Sequence, residues 1–193
     1  MSRTNYIFVD FENVRETDWE RIASKPVKVV LVLGGQQSQL PVPLVKKLLR
    51  HAAQMQLVET GRAGKNALDM VLAHYVGAIR VTDPEGYFHI VSKDKGFDAL
   101  VGHLNDNGAL ARRHASFSEI PMLMNPEERV ALVSKQIKEH ASARPKKRKG
   151  LESKIQATFG MSLSEADVAE TIQCLIREKA VTLSDTDEMI YAT

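Results

Sequence analysis

The segment NYIFVDFENV, residues 5–14, constrains the fold more than any other. Tyr6, Ile7, Phe8 and Val9 are apolar in succession, so a strand here shows neither face to water. Such a strand belongs inside a parallel sheet covered by helices on both sides. It then runs directly into two carboxylates, Asp10 and Glu12. A carboxylate at the rim of a core is costly unless something there compensates its charge.

The next hundred residues alternate between two periods. Short apolar runs occur at 6–10, 27–33 and 87–92, with weaker ones at 56–60 and 109–114. Helical spacing links Val45, Leu48, Leu49 and Ala52, then Leu68, Val71, Leu72, Tyr75, Val76 and Ile79, then Phe97, Leu100, Val101 and Leu104. The pattern predicts a doubly wound α/β domain over residues 1–121 with a parallel sheet of about five strands; an order of 3-2-1-4-5 would set the first strand beside the 87–92 strand.

After Pro121 the pattern changes. Asn125 and Pro126 predict the start of a helix, with Val130, Val133 and Ile137 on one stripe. RPKKRK, residues 144–149, follows as a solvated basic connector, so residues 122–150 read as helix and linker. Residues 151–193 read as a small module of helix, helix and hairpin, the second helix capped by Ser164 with Asp167 three residues on. The module resembles the second half of a winged helix. It is too small to fold alone and can borrow the helix at 126–141 as its first.

In an open parallel sheet, ligands bind beyond the C-terminal strand ends, where the connections diverge. Asp10 and Glu12 fall there after the first strand, Asp94 and Asp98 after the 87–92 strand, and Asp69 at the helix after the weak third strand. With the first strand beside the 87–92 strand, these acids share one cleft. Clustered carboxylates repel and take up protons unless a cation joins them. Oxygen-only ligands suit Mg²⁺ or Mn²⁺, which can polarise a phosphate and lower the pKa of a bound water. Each acid also has a local reading. Asn66 to Asp69 has the spacing of a capping box, and Asp94 and Asp98 could be a cap and a first-turn acid. Lys65, Lys93 and Lys95 flank the same loops and could meet phosphates.

Other chemistries lack their residues. The single cysteine, Cys174, leaves no disulfide framework or thiolate zinc site, and no histidine pair has zinc spacing. Gly34-Gly35 is followed by neither a dinucleotide nor a Walker fingerprint. A haloacid-dehalogenase phosphatase needs Asp-x-Asp after the first strand, but the chain has Asp10-Phe11-Glu12. No apolar run has membrane-spanning length, and the first strand begins too early for a signal peptide, so a cytoplasmic protein is expected.

YIFVDFENV, GKNALDMVLAHYVG and FHIVSKDKGFDALVGHL together resemble the motifs of PIN-like nucleases close to the NYN branch. They resemble in particular a bacterial group with a short C-terminal module, over about residues 5–120. The resemblance implies a Mg²⁺- or Mn²⁺-dependent ribonuclease. By position it makes Asp10, Asp69, Asp94 and Asp98 the catalytic and metal-binding acids, with Ser92 a small polar residue of the last motif and Glu12 and Asn13 accessory. RNA is the implied partner, held by Lys65, Lys93 and Lys95 and by the basic run of Arg144, Lys146, Lys147, Arg148 and Lys149. The alternative is a non-catalytic RNA- or protein-binding adaptor. A homodimer stays open.

Overall fold

A computed structural model describes residues 3–15, 17–23, 25–62, 64–184 and 188–191. The chain divides into two compact units, Met1–Leu123 and Met124–Thr193.

The first unit is built on five parallel strands: β1 (Asn5–Asp10), β2 (Val27–Leu33), β3 (Met55–Glu59), β4 (Tyr87–Val91) and β5 (Leu110–His114). Their order is β3-β2-β1-β4-β5, the order expected if the acids were to share one cleft. Three helices connect them: α1 (Val42–Arg50), α2 (Ala67–Thr82) and α3 (Phe97–Asp106). All six residues of β1 are buried. Ile7 and Val9 point into a core with Trp19, Leu31, Phe117 and Ile120. Tyr6 and Phe8 point to the opposite face, against Leu72, Val76, Phe88 and Ile90. Burying one such side chain is worth about 1.5–3 kcal/mol. The period of two therefore feeds two cores from one strand.

The chain leaves β1 toward β2 and returns to its other side as β4, so the connections diverge at the C-terminal ends of β1 and β4. That is where the first strand delivers Asp10.

One buried polar chain lies within the sheet. Asn5 Nδ2 donates to the Arg3 carbonyl (3.3 Å), which aims its Oδ1 at His89 Nε2 (2.8 Å). His89 Nδ1 lies 3.0 Å from His114 Nε2. With Asn5 accepting from Nε2–H, His89 accepts at Nδ1 from His114. Tyr87 stacks on the His89 ring at 4.4 Å. Burial first, then the neighbouring charges, holds His89 well below the ordinary histidine value, and burial brings His114 down to about 3.

The second unit contains α4 (Pro126–Glu139), α5 (Arg148–Thr158), α6 (Glu165–Arg177) and an antiparallel pair, β6 (Val181–Leu183) and β7 (Met189–Tyr191). Residues 185–187 of the expected hairpin turn lie outside the described residues. Asn125 caps α4 in a reciprocal box with Glu128, and Ser164 caps α6 with Asp167. The helix at 126–139 is part of this unit, since Val130, Val133 and Ile137 share a core with Leu151, Ile155, Ile172 and Leu175. The basic run is not a free connector either. The Lys147 backbone forms an isolated antiparallel β-bridge with Glu188, the Met189 amide donates to the Lys146 carbonyl (2.8 Å), and Arg148 opens α5. Helix, bridge, helix, helix and strand pair follow one another along the second unit.

The depressed pKa values of the two histidines predict an acid-sensitive first unit. An unfolded histidine takes up a proton below about pH 6.5, whereas the folded pair resists it, so stability present above that pH is lost as pH falls. Urea unfolding followed by the single tryptophan should show stability falling by up to about 2.7 kcal/mol per pH unit between pH 6 and 4. His114→Gln should cut that slope by about half; an unchanged slope would remove His114 from the linkage.

Candidate metal and nucleic-acid site

Asp10 is completely buried, and its carboxylate is held by four donors. Oδ1 accepts from the backbone amides of Glu12 (3.1 Å) and Asn13 (3.2 Å). Oδ2 accepts from Asn13 Nδ2 and Ser92 Oγ, both at 2.7 Å. The β1 strand ends by wrapping its own loop around the carboxylate, and the Val14 amide closes the turn on the Asp10 carbonyl (2.9 Å). Ser92, also fully buried, accepts in turn from the Asp94 amide (3.0 Å). Its hydroxyl thus joins the end of β1 to the loop after β4. Glu12 is exposed and lies over Gly34 at the end of β2, where an added Cβ would overlap its carboxyl group.

Asp69 sits in the first turn of α2, but not in a capping box. Asn66 takes a left-handed conformation (φ 59°) and makes no side-chain cap bond. Nothing in the helix start therefore engages the Asp69 carboxylate, which accepts no hydrogen bond among the described residues. Its pKa is raised above the usual aspartate value, first by burial and then by the charges of Asp10, Asp94 and Glu12. The carboxylates from three strand ends thus act on one another electrostatically.

Asp94 is exposed, and its Oδ1 accepts from the Gly96 amide (2.7 Å). Asp98 has a different environment. Arg113 on β5 donates to its Oδ1 from Nε (2.6 Å) and holds its pKa down, first through that hydrogen bond. Arg113 Nη1 also donates to the Ser92 carbonyl (3.1 Å). Asp98, expected among the metal acids, is thus committed to an ion pair and is not among the charges that raise Asp69. Arg113 carried no motif; the weak RRH end of β5 gave no sign that it would clasp the end of β4.

No three histidine, cysteine, aspartate or glutamate side chains stand ready as a metal cage among the described residues. The fit to a hard divalent cation rests instead on donor type and charge. Asp69, Asp94 and Glu12 offer oxygen only, and a cation would relieve the repulsion on Asp69. Asp10 can join them only by exchanging one of its four donors, because a carboxylate has about four lone-pair sites.

Lys65, Lys93 and Lys95 are exposed, Lys65 on the loop that leads into α2 and Lys93 and Lys95 on the loop that carries Asp94. The basic run of the second unit separates into two sets. Arg144 donates to the Ile137 carbonyl (3.1 Å) and covers the Tyr191 ring, and Arg148 pairs with Glu152 (3.1 Å). Lys146, Lys147 and Lys149 are exposed. In the same unit α6 exposes Glu165 and Glu170, so the positive surface is at the start of α5 and not on α6.

The sheet order and the acids at its switch point agree with the one family found by comparison: a PIN domain model matches residues 4–114. The chain belongs to the PIN domain family. No curated protein and no solved structure matches it. PIN domains are generally metal-dependent nucleases, and the matched segment of this PIN domain contains Asp10, Asp69, Asp94 and Asp98. It ends at His114, so the second unit lies outside the match. Among the described residues no helix is long and apolar enough to cross a membrane.

Because Asp69 is charged at a cost in the metal-free PIN domain, Asp69→Asn should raise its melting temperature at pH 7. The gain should shrink as pH falls through the raised pKa of Asp69 toward the ordinary carboxylate value of about 3.9, where the wild-type residue is neutral as well. Mn²⁺ should stabilise the wild type and lose most of that effect in the variant. Scanning calorimetry with and without Mn²⁺ checks both; equal metal-induced shifts would place the cation elsewhere.

Proposed function

We propose that this PIN domain is a Mg²⁺- or Mn²⁺-dependent endoribonuclease of the NYN type. The carrying observation is the Asp69 carboxylate, which has no hydrogen-bond donor among the described residues and feels the charges of Asp10, Asp94 and Glu12. A helix acid used only for capping would be bonded at the helix start. Asp69, Asp94 and Asp10 would hold the cation, with Glu12 beside them. When bound, the cation supplies charge for the phosphate and acidity for a water molecule.

The chain's own residues then have separate tasks. Ser92 and Asn13 orient Asp10, and Arg113 fixes the loop that presents Asp94 by holding both Ser92 and Asp98. Asp69 can take the proton of the attacking water. The water oxygen bonds to phosphorus, and the bond to one ribose oxygen breaks as that oxygen takes a proton from solvent, to which Asp69 later returns its own. Lys65, Lys93 and Lys95 would give cations to an RNA phosphate at this cleft, and Lys146, Lys147 and Lys149 would bind RNA phosphates on the second unit.

The filled lone pairs of Asp10 favour a second reading, an RNA-binding adaptor in which the same cleft never turns over. Incubating labelled RNA with Mn²⁺ or Mg²⁺ separates the two. Asp69→Asn and Asp94→Asn should each lower cleavage at least about a hundredfold, the scale of losing one group that stabilises transition-state charge. Binding without cleavage in the wild type supports the adaptor.

The basic run has its own test. Each phosphate contacted on a single strand contributes about 0.7 to the log–log salt slope of affinity. Replacing Lys146, Lys147 and Lys149 with Ser should therefore flatten the slope by about 2. Adding Arg148→Ser should change it little further, since Arg148 already pairs with Glu152. Identical slopes for wild type and triple variant would leave those lysines out of RNA binding.

A further inference from the structure

Helix α2 has an outer face without a carboxylate, lysine or arginine. Leu68, Leu72 and Val76 turn inward and are buried. The side opposite them carries Met70, His74, Gly77, Ala78 and Val81, spaced by helical turns, and all five are exposed. Met70 is 70% exposed and Val81 85%. A surface helix ordinarily puts charged side chains on that side, and a helix apolar all round is ordinarily covered. The helix does carry Asp69 and Arg80, but both are turned aside. The Asp69 carboxylate feels the acid cluster, and Arg80 donates to the Asn107 carbonyl.

Gly77 lies within this face. Glycine inside a helix is destabilising relative to alanine. Nothing else in the chain asks for it here, since an added Cβ would meet no atom within 4 Å. A bare backbone on an apolar helix face lets a second helix approach closely. The charges beyond the two ends of α2 point to which helix that is. Arg62 and Lys65 are exposed just before it, and Asp83 and Glu85 follow it. Asp83 accepts from the Tyr6 hydroxyl (2.9 Å), and Glu85 approaches Arg3 only to 3.8 Å and keeps its side chain in solvent. Cations before a helix and anions after it oppose that helix's own dipole. They complement the ends of a neighbour lying antiparallel.

We propose that α2 is the contact between two copies of this chain, packed antiparallel about a two-fold axis. Under such an axis one patch must complement itself. One register does this twice. It sets Met70 against the partner's Val81 and His74 against the partner's Gly77, so each large side chain faces a smaller one. The same register brings Arg62 and Lys65 beside the partner's Asp83 and the partner's Glu85. A partner of another sequence would leave this self-complementarity without a use. Two 16-residue helices, each about 24 Å long, are at the small end of specific interfaces, so a micromolar dissociation constant is expected. The inference stands apart from the ribonuclease reading, because it uses no residue of the acid cluster.

Sedimentation velocity of the full-length protein, from about 1 μM to about 1 mM, reads the pairing. The wild type should pass from one chain to two across this range. Val81→Glu should raise the dissociation constant at least about a hundredfold, because the axis buries the added carboxylate twice. Gly77→Leu should weaken pairing at least about tenfold, yet raise the melting temperature of the dilute monomer, because leucine is the better helix former. Both positions are exposed, and unchanged circular dichroism confirms that each variant is folded. Cross-linking reads the register, since the native Cys174 is buried and an added thiol is the reactive one. Mixed Met70→Cys and Val81→Cys chains should be joined by a short bismaleimide. Val81→Cys alone should not, because the antiparallel register separates the two copies of position 81 by about 16 Å along the axis. A wild type that stays a single chain throughout, or a dimer that Val81→Glu leaves intact, overturns the proposal. Links between Val81→Cys chains with none in the mixture would mean a parallel pair and overturn the antiparallel arrangement.

Discussion

Everything at the mouth of this sheet depends on how one buried carboxylate is satisfied. Asp10 has no exposed surface, and a charge in that position is tolerated only when hydrogen bonds replace the water it has lost. Two of its donors come from its own loop's backbone, one from Asn13 and one from Ser92 across the β1–β4 pair. The same four bonds fix the turn after β1 and fasten it to the loop after β4. The geometry of the switch point follows from the solvation of Asp10.

The remaining acids divide by what already holds them. Asp98 is neutralised by Arg113, and Asp94 is partly engaged by the Gly96 amide. Asp69 has neither arrangement and carries the repulsion of its neighbours in its raised pKa. Glu12 depends on the absence of a side chain at Gly34, which leaves room for its carboxyl at the mouth of β2. A set in which one acid is saturated, one paired and one open can be completed by a cation without rebuilding the fold.

The second unit follows a different logic. Its core joins α4, α5 and α6, and buried Arg129 ties α4 to α6 through Thr171 (3.1 Å) and Asp167 (3.3 Å). With its charged partners on α6, this arginine is structural rather than available to RNA. The basic run loses two of its five cations in the same way, to Tyr191 and Glu152, which leaves the lysines as its exposed charge.

Period and composition were enough for the sheet. Consecutive apolar residues at 6–9 and 29–33 can be buried only by two covered faces, and the alternation with helical spacing leaves few topologies. The caps at Asn125 and Ser164 were legible because a capping box acts within four residues. The same rule misled at Asn66, whose left-handed backbone turns its side chain from the cap; φ depends on how the preceding loop enters the helix. Likewise, spacing could bring four acids to one end of the sheet but could not separate them. Arg113 claims Asp98 from another strand, and Ser92 fills Asp10 across the sheet, over separations of 15 and 82 residues. The histidine pair is also made by segments distant in the chain. Local periodicity determined which residues are buried and where the strands end; only the tertiary structure decided which charges are spoken for, because a hydrogen bond depends on distance in space and not on distance along the chain.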